Sequence, residues 1–225
     1  MCEKLEEIQK RVKAAALKVG RDPSSIKIVA VSKKKPASQI EQLYRCGQKI
    51  FGENYVQEAV RKIDALSSFG DISWHFIGHL QKNKAKLAVK YFNWIEGVDS
   101  FSLAKLLNKY ALKAQKKINC LIQVNIGREK TKSGILEEEI VDLIESIIEL
   151  EALSLKGFMT IHPRSEHVED SRHWFKKMKV LLEKYQARYP FLKELSMGMS
   201  KDFEIAIEEG ATIVRIGTAL FGPRD

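Results

Sequence analysis

Short apolar segments typical of buried strands alternate with amphipathic segments typical of helices along almost the whole chain. Strands that are separated by helices form right-handed βαβ units, and the strands of such units are parallel. Eight strand–helix units within 225 residues predict an α/β fold, a single closed (β/α)8 TIM barrel. The predicted strands lie in IKIVAVS, QKIFGEN, SWHFIG, YFNWIEGVDS, NCLIQVNIG, LSLKGFMTI, KELSMGMS and TIVRIGTALFG.

One extra helix precedes the first strand, because Leu5, Ile8 and Val12 share one face of a helix over about residues 3–19. The barrel is predicted over about residues 26–222. No linker or low-complexity segment interrupts the pattern, so the whole chain is expected to form one domain. An open doubly wound sheet is the alternative, but it usually has a glycine-rich loop after its first strand, and SKKKPA is not one.

The net charge of +9 would suit a protein that binds nucleic acid. The lysines are nevertheless spread along the chain, and no basic tail, arginine-rich run or RNA-binding motif occurs. A solvated, lysine-rich surface is therefore predicted, with no nucleic-acid partner. Its positive field would favour small anionic ligands.

The sequence contains no secretory signal and no apolar run of transmembrane length, so no membrane contact is predicted. Cys2, Cys46 and Cys120 are odd in number and scattered. They predict neither a disulfide framework nor a zinc site. A reducing cytoplasm is the location that this cysteine usage favours.

Three lysines, Lys33, Lys34 and Lys35, follow the first predicted strand, and active residues of barrels lie at the carboxyl ends of strands. If Val29 and Val31 point into the barrel, strand alternation makes Lys33 point inward too. A partly desolvated lysine has a lowered pKa and forms a Schiff base with an aldehyde. Taken alone, the stretch still favours three solvated lysines.

Small and hydroxyl residues follow strands seven and eight, where barrels often bind phosphate. Gly198 and Ser200 end strand seven, and Gly217 and Thr218 end strand eight. Glycine lets backbone N–H groups approach a phosphate, and hydroxyl groups add further donors. A tight turn would explain either pair, but the two pairs together predict a phosphate site.

Arg215 interrupts the apolar strand TIVRIG, and a buried arginine needs an acceptor or a planar partner. A structural salt bridge is one interpretation, and contact with the ring nitrogen of a bound heteroaromatic is the other. Pyridoxal 5'-phosphate (PLP) would bring an aldehyde for Lys33, a phosphate for the two turns and a pyridine nitrogen for Arg215. Beside a guanidinium this nitrogen would stay largely unprotonated, which weakens the cofactor as an electron sink.

Two further groups of polar residues follow strands. Asn54, after strand two, is a candidate ligand of the cofactor, with a helix cap before Tyr55 as the alternative. His162, His167 and His173 lie near one another in the sequence but lack a zinc spacing, so no metal site is predicted.

The motifs AVSKKKPA, FGENYVQE, WHFIGHLQKNK, LSMGMSKDFEIAIEEG and VRIGTALFG resemble the YggS/PROSC family, the pyridoxal phosphate homeostasis proteins. They occur in the family's order, from about the first strand to the C-terminus. The resemblance implies a barrel like the N-terminal domain of alanine racemase (PLP fold type III). It also implies PLP held as an imine on the lysine after AVS, here Lys33. The phosphate and ring contacts implied by the resemblance are Asn54, Ser200, Arg215, Gly217 and Thr218.

The sequence departs from the family at Lys34, because the family usually reads SKTKP and lysine replaces the threonine here. A second amine therefore adjoins the position of the imine. It could change the local charge or accept the aldehyde transiently. Strand alternation still favours Lys33.

Three functions are compatible with these residues, and a protein that buffers or delivers PLP without catalysis is the preferred one. A PLP-dependent racemase needs proton transfer on both faces of the α-carbon. In racemases that resemble this barrel, the second base is a tyrosine on an added β-domain. This chain is expected to end with the barrel, and its sequence shows no obvious second base opposite Lys33. A weak side activity is compatible with this interpretation.

A Schiff-base aldolase is the third hypothesis. Its lysine commonly lies on a later strand, and it has no need for Arg215 beside two phosphate turns. The resemblance implies a monomer, and buffering or delivery would make the apo forms of PLP-dependent enzymes its protein partners.

Overall fold

Eight parallel strands form the centre of the computed structural model, which describes residues 1–164 and 166–223. The strands are β1 (Lys27–Val31), β2 (Ile50–Glu53), β3 (Ser73–Phe76), β4 (Trp94–Val98), β5 (Ile118–Gln123), β6 (Leu153–Met159), β7 (Glu194–Met199) and β8 (Ile213–Ile216). Each pairs in parallel with its neighbours in chain order, and β1 also pairs with β8. The sheet is therefore a closed barrel, which confirms the predicted fold.

The helices alternate with the strands as the sequence predicts. They are α1 (Cys2–Lys18), α2 (Ala37–Arg45), α3 (Val56–Ala65), α4 (Ala85–Tyr91), α5 (Phe101–Lys113), α6 (Ile140–Ile148), α7 (Ser171–Gln186), α8 (Phe203–Glu208) and α9 (Thr218–Phe221). The sequence interpretation missed α9, because TALF has no helical period long enough to recognise and follows an apolar strand directly. Within the described ranges, no helix is both long and apolar enough to cross a bilayer.

The apolar residues separate into two clusters, because side chains along a barrel strand alternate between inside and outside. The inner cluster consists of Val29, Leu121, Met159 and Ile213. Ala30, the residue after Val29, belongs to the large outer cluster between the sheet and the helices. The prediction that Val29 points into the barrel is therefore confirmed, which sets the direction of the residues that follow it on β1.

The first helix covers the outside of the barrel beside α8. Its buried face carries Leu5, Ile8 and Val12, as the sequence pattern predicts. Arg11 Nε donates to a carboxylate oxygen of Glu204 on α8 at 2.7 Å, across the edge of this contact. The helix is thus held by apolar burial, with a partly exposed ion pair that adds orientation more than stability.

A disulfide joins Cys2, the first residue of α1, to Cys46, the residue after α2, with a Cα–Cα distance of 5.2 Å. The prediction that the cysteines form no disulfide is wrong for this pair. The two residues are 44 positions apart, and only the packing of α1 beside α2 brings them together. Cys120 is a free thiol inside the protein, and burial raises its pKa to about 12.

Gly157 lies on β6 where this strand pairs with Glu194 of β7. Its φ angle is +152°, and a Cβ atom at this position would lie 1.9 Å from the Glu194 carbonyl oxygen. Any other residue would therefore push the two strands apart or strain the backbone.

We expect Gly157→Ala to lower the free energy of unfolding by about 2–5 kcal/mol, because overpacking and backbone strain act at the same place. Urea denaturation followed by circular dichroism measures the change. Gly70→Ala is the matched control, since a Cβ there meets nothing within 4 Å. Equal stability of the two variants would contradict the close approach of β6 and β7.

Candidate functional site

A cavity of about 660 Å³ opens at the carboxyl ends of the strands. This volume is typical of a site for a small molecule. Apart from Gly198, all of the predicted cofactor-binding residues line it. These are Lys33, Asn54, Ser200, Arg215, Gly217 and Thr218.

The three lysines after β1 have different positions. Lys33 and Lys35 line the cavity, and so does Val31, two residues before Lys33. Lys35 Nζ also donates to the Pro223 carbonyl oxygen at 2.7 Å. Lys34 is not among the lining residues, and its backbone is left-handed with a φ angle of +60°. The structure therefore divides the basic run in the way that strand alternation predicts.

Ser200 joins the turns after β7 and β8. Its Oγ accepts hydrogen bonds from the backbone N–H groups of Gly217 at 3.2 Å and Ala219 at 3.3 Å. Both bonds use Oγ as the acceptor, so the hydroxyl hydrogen can be donated to an anion in the cavity. Ser200 Oγ thus links the two turns that the sequence singled out by hydrogen bonds.

Gly198 has a structural reason to be glycine. Its φ angle is +86°, and a Cβ atom would lie 2.4 Å from Ala206 Cβ on α8. The residue lets α8 approach the end of β7 closely, and it does not line the cavity. Contact between Gly198 and a cofactor stays a prediction.

Asn54 lines the cavity, and its Oδ1 atom is buried with no hydrogen-bond partner among the described residues. An unpaired buried amide oxygen costs about 1–3 kcal/mol. Turning the amide by 180° would present its NH₂ group instead, which donates to an oxygen. Tyr55, not Asn54, is the N-cap of α3. The Asn54 amide is therefore a group to which a polar atom of a ligand can hydrogen-bond.

Arg215 lies at the inner end of the cavity and is 5% exposed. Its Nη1 donates to Ser196 Oγ at 2.6 Å, and its Nη2 donates to the Thr160 carbonyl oxygen at 2.7 Å. Burial lowers the pKa of Arg215, although the charges of Glu96 and Asp202 oppose this shift. The guanidinium is therefore held in one orientation, with a face or edge towards the cavity that it lines.

A buried carboxylate lies one hydrogen bond beyond Ser196. Glu96 Oε2 accepts from Ser196 Oγ at 2.6 Å, and Glu96 Oε1 lies 2.6 Å from His75 Nδ1. Burial alone would raise the pKa of Glu96, but the interactions with His75, Arg215 and Ser196 hold it below its usual value. The structural salt bridge that the sequence left open for Arg215 is therefore indirect, with a serine between the two charges.

His162 forms part of the cavity wall at the end of β6. Its Nε2 lies 2.9 Å from Asp202 Oδ2, and its Nδ1 lies 2.6 Å from the Pro163 carbonyl oxygen. Asp202 also accepts from the Met199 backbone N–H at 2.6 Å. Sequence reasoning missed this pair, because the two residues are 40 positions apart and follow different strands. Among the described residues, no cluster of His, Cys, Asp or Glu is arranged to hold a metal ion.

The residues around the cavity suit a ligand that combines an aldehyde, an anionic group and a ring nitrogen. A lysine amine captures aldehydes, the turns after β7 and β8 supply N–H and hydroxyl donors for the anion, and Arg215 donates to a ring acceptor. The unpaired Oδ1 of Asn54 adds a further polar group with which a ligand can hydrogen-bond. PLP has all of these groups, so the residues present fit this cofactor.

A family model described as alanine racemase, N-terminal domain, matches residues 4–225. A protein from Aquifex aeolicus named pyridoxal phosphate homeostasis protein is 44% identical over 224 residues, which cover 99% of this chain and 98% of that protein. A protein of the same name from Vibrio alginolyticus is 42% identical over 224 residues, which cover 98% of this chain and 96% of the relative.

PipY from Synechococcus elongatus PCC7942 is a similar protein of known structure, solved with and without PLP bound. The structure with PLP bound matches this chain with a TM-score of 0.84 and 36% sequence identity. The match covers 96% of this chain and 100% of PipY. The likeness therefore extends over nearly the whole barrel.

We expect Glu96→Gln to destabilise the protein by about 3 kcal/mol at neutral pH, because Arg215 loses its buried counter-charge. Since the pKa of folded Glu96 is below the reference value of 4.5, its stabilising effect is complete above pH 4.5 and decreases as the pH falls below it. The difference in stability between wild type and variant should therefore shrink in acid, as measured by urea denaturation from pH 7 to pH 3.

Glu138→Gln is the control for this prediction, since Glu138 pairs with Arg128 on the surface. It should leave stability almost unchanged across the same pH range. A Glu96→Gln difference that stayed constant or grew in acid would mean that Glu96 is not ionised in the folded protein at neutral pH.

Proposed function

We propose, since the chain belongs to the family of pyridoxal phosphate homeostasis proteins, that it binds PLP and buffers or delivers this cofactor. The observation that carries the proposal is that three kinds of chemical group line one cavity. An amine comes from β1, the donor turns come from β7 and β8, and a guanidinium comes from β8. Each of these groups matches a different part of PLP.

Lys33 would hold the cofactor as a Schiff base. Lys33 and Lys35 both line the cavity, but Lys33 directly continues the alternation of Val29 and Val31 before the left-handed Lys34. The amine of Lys35 instead donates to the Pro223 carbonyl oxygen. Ser200, Gly217 and Thr218 would bind the phosphate. The backbone N–H groups of Gly217 and Ala219 already donate to Ser200 Oγ, so the turn is ordered before a ligand binds and the Ser200 hydroxyl hydrogen is left for the phosphate.

Arg215 would face the ring nitrogen. Its Ser196 and Thr160 contacts use one N–H of Nη1 and one of Nη2, so further N–H groups of the guanidinium can reach a ligand. A guanidinium does not give up its proton, so the ring nitrogen would stay unprotonated and the cofactor would be a weak electron sink. Tight holding without turnover is the behaviour that this contact favours.

The proposal therefore includes a non-enzymatic role. Racemisation needs an acid or base on each face of the substrate carbon. Among the described residues that line the cavity, the titratable side chains other than lysine and arginine are those of His162, His167 and Asp202. Both ring nitrogens of His162 are engaged, Nε2 by Asp202 and Nδ1 by the Pro163 carbonyl oxygen. A monomer that passes PLP to apo-enzymes completes the proposal, on the strength of the family resemblance.

We expect the purified protein to give the yellow absorbance of an imine with PLP, and Lys33→Ala to abolish it. Borohydride reduction followed by peptide mass spectrometry should place the wild-type adduct on Lys33. Lys34→Ala is the control that removes an amine from the same turn, and it should keep the adduct. An unchanged adduct elsewhere in Lys33→Ala would refute the assignment of Lys33, and alanine racemisation at enzyme-like rates would refute the non-enzymatic role.

We expect Ser200→Ala to weaken PLP binding by about tenfold, since it removes one hydroxyl donor to a doubly charged group. Binding of pyridoxal, which lacks the phosphate, should change little. Absorbance titrations with the two aldehydes measure the difference. An equal loss for both would show that Ser200 supports the turns rather than the phosphate.

A further inference from the structure

A buried cluster of charged side chains, formed by Lys62 with Glu53 and Glu58, lies next to the basic turn. Lys62 is 7% exposed and Glu53 is fully buried. Lys62 Nζ donates to Glu53 Oε1 at 2.7 Å and to Glu58 Oε1 at 2.6 Å. Burial raises the pKa of Glu53, while Lys62 and a hydrogen bond from Ser32 oppose the shift. The proposed binding of PLP uses none of these three side chains.

The cluster holds the peptide groups on both sides of Lys33. Lys62 Nζ donates to the Ser32 carbonyl oxygen at 2.7 Å, which belongs to the peptide group preceding Lys33. The backbone N–H of Lys34, in the peptide group that follows Lys33, donates to Glu58 Oε1. Ser32 Oγ adds a third link, to Glu53 Oε1 at 2.6 Å. These hydrogen bonds therefore restrict the φ and ψ angles of Lys33.

The bond from Lys34 to Glu58 also stabilises an unfavourable backbone conformation. The φ angle of Lys34 is +60°, and the left-handed region is disfavoured for residues with a Cβ atom. The carboxylate hydrogen bond offsets this cost. Without it, Lys34 would return to a right-handed or extended conformation, which would turn the side chains of Lys33 and Lys35 relative to the cavity.

We propose that Lys62, together with Glu53 and Glu58, determines which of Lys33, Lys34 and Lys35 captures the aldehyde. These are positioning residues, which act through the backbone of the turn and do not touch the ligand. The inference rests on the proposed function, since it concerns the lysine that holds PLP. It explains how a run of three amines yields one covalent anchor.

The covalent step is the same for each of the three lysines, so geometry decides between them. The neutral amine adds to the aldehyde carbon, a C=N bond forms, and the aldehyde oxygen leaves as water with the two amine hydrogens. Borohydride then delivers hydride to the carbon, and water supplies the proton on nitrogen. The trapped secondary amine records which lysine had reacted.

Glu58→Ala and Glu58→Gln form a matched pair for the test. Glutamine keeps an oxygen that accepts from the Lys34 N–H, and alanine does not. Lys62→Met removes the bond to Ser32 with a side chain of similar length. Lys27→Met is the control for loss of a lysine charge, because Lys27 pairs with Glu194 at the opposite end of β1.

Each variant is saturated with PLP, reduced with borohydride and mapped by peptide mass spectrometry. In wild type, Glu58→Gln and Lys27→Met, the adduct should lie on Lys33. In Glu58→Ala and Lys62→Met, the ratio of Lys33 adduct to adduct on Lys34 and Lys35 should fall about tenfold, the effect expected for losing one hydrogen bond to a charged group. A residue that only stabilised the fold would not redistribute the adduct.

Amide hydrogen exchange of the ligand-free protein gives a second readout. The Lys34 N–H should be protected in wild type and Glu58→Gln and should exchange faster in Glu58→Ala. If Lys62→Met does not fold, the comparison of Glu58→Ala with Glu58→Gln tests the inference by itself. Adduct that stays on Lys33 in Glu58→Ala would overturn the inference, whereas wild type without adduct on any of the three lysines would overturn the proposed function.

Discussion

The pairing of β1 with β8 closes the barrel, and the arrangement around the cavity depends on it. In this pairing Val29 lies opposite Arg215, so the strand that leads to the basic turn runs beside the strand that carries the buried guanidinium. Parallel strands end at the same rim, which brings the first and last loops of the barrel together. Residues almost two hundred positions apart thereby come to line one cavity.

The barrel buries two opposite charges in its interior. Glu96 and Arg215 are both buried, and each would be costly to bury alone. Ser196 Oγ accepts a hydrogen bond from Arg215 and donates one to Glu96. His75 contacts the other oxygen of the Glu96 carboxylate. The polar chain therefore fixes the guanidinium from below and leaves its remaining donors for the cavity. A second charged cluster around Lys62 holds the basic turn that follows the neighbouring strand β1.

Local periodicity was enough to predict the barrel and its strand ends, because alternation and loop position are properties of short segments. For the same reason, six of the seven residues proposed to bind the cofactor line the cavity. Contacts between distant segments carry no such signal. The pairs Glu96–His75, His162–Asp202 and Lys62–Glu53 depend on register between strands and helices, which the sequence alone does not reveal. Gly198 has a packing role that the sequence pattern did not indicate, because its missing Cβ lets α8 approach the end of β7.

The disulfide between Cys2 and Cys46 makes the basic turn part of a covalent ring. Every residue from 3 to 45 lies inside this ring, including Lys33 and its neighbours. A protease that cuts once within it would nick the chain without releasing a fragment, so the molecule would keep its full mass until the bond is reduced. Gels run with and without reductant after limited digestion would therefore differ, and digests used for peptide mapping must be reduced first.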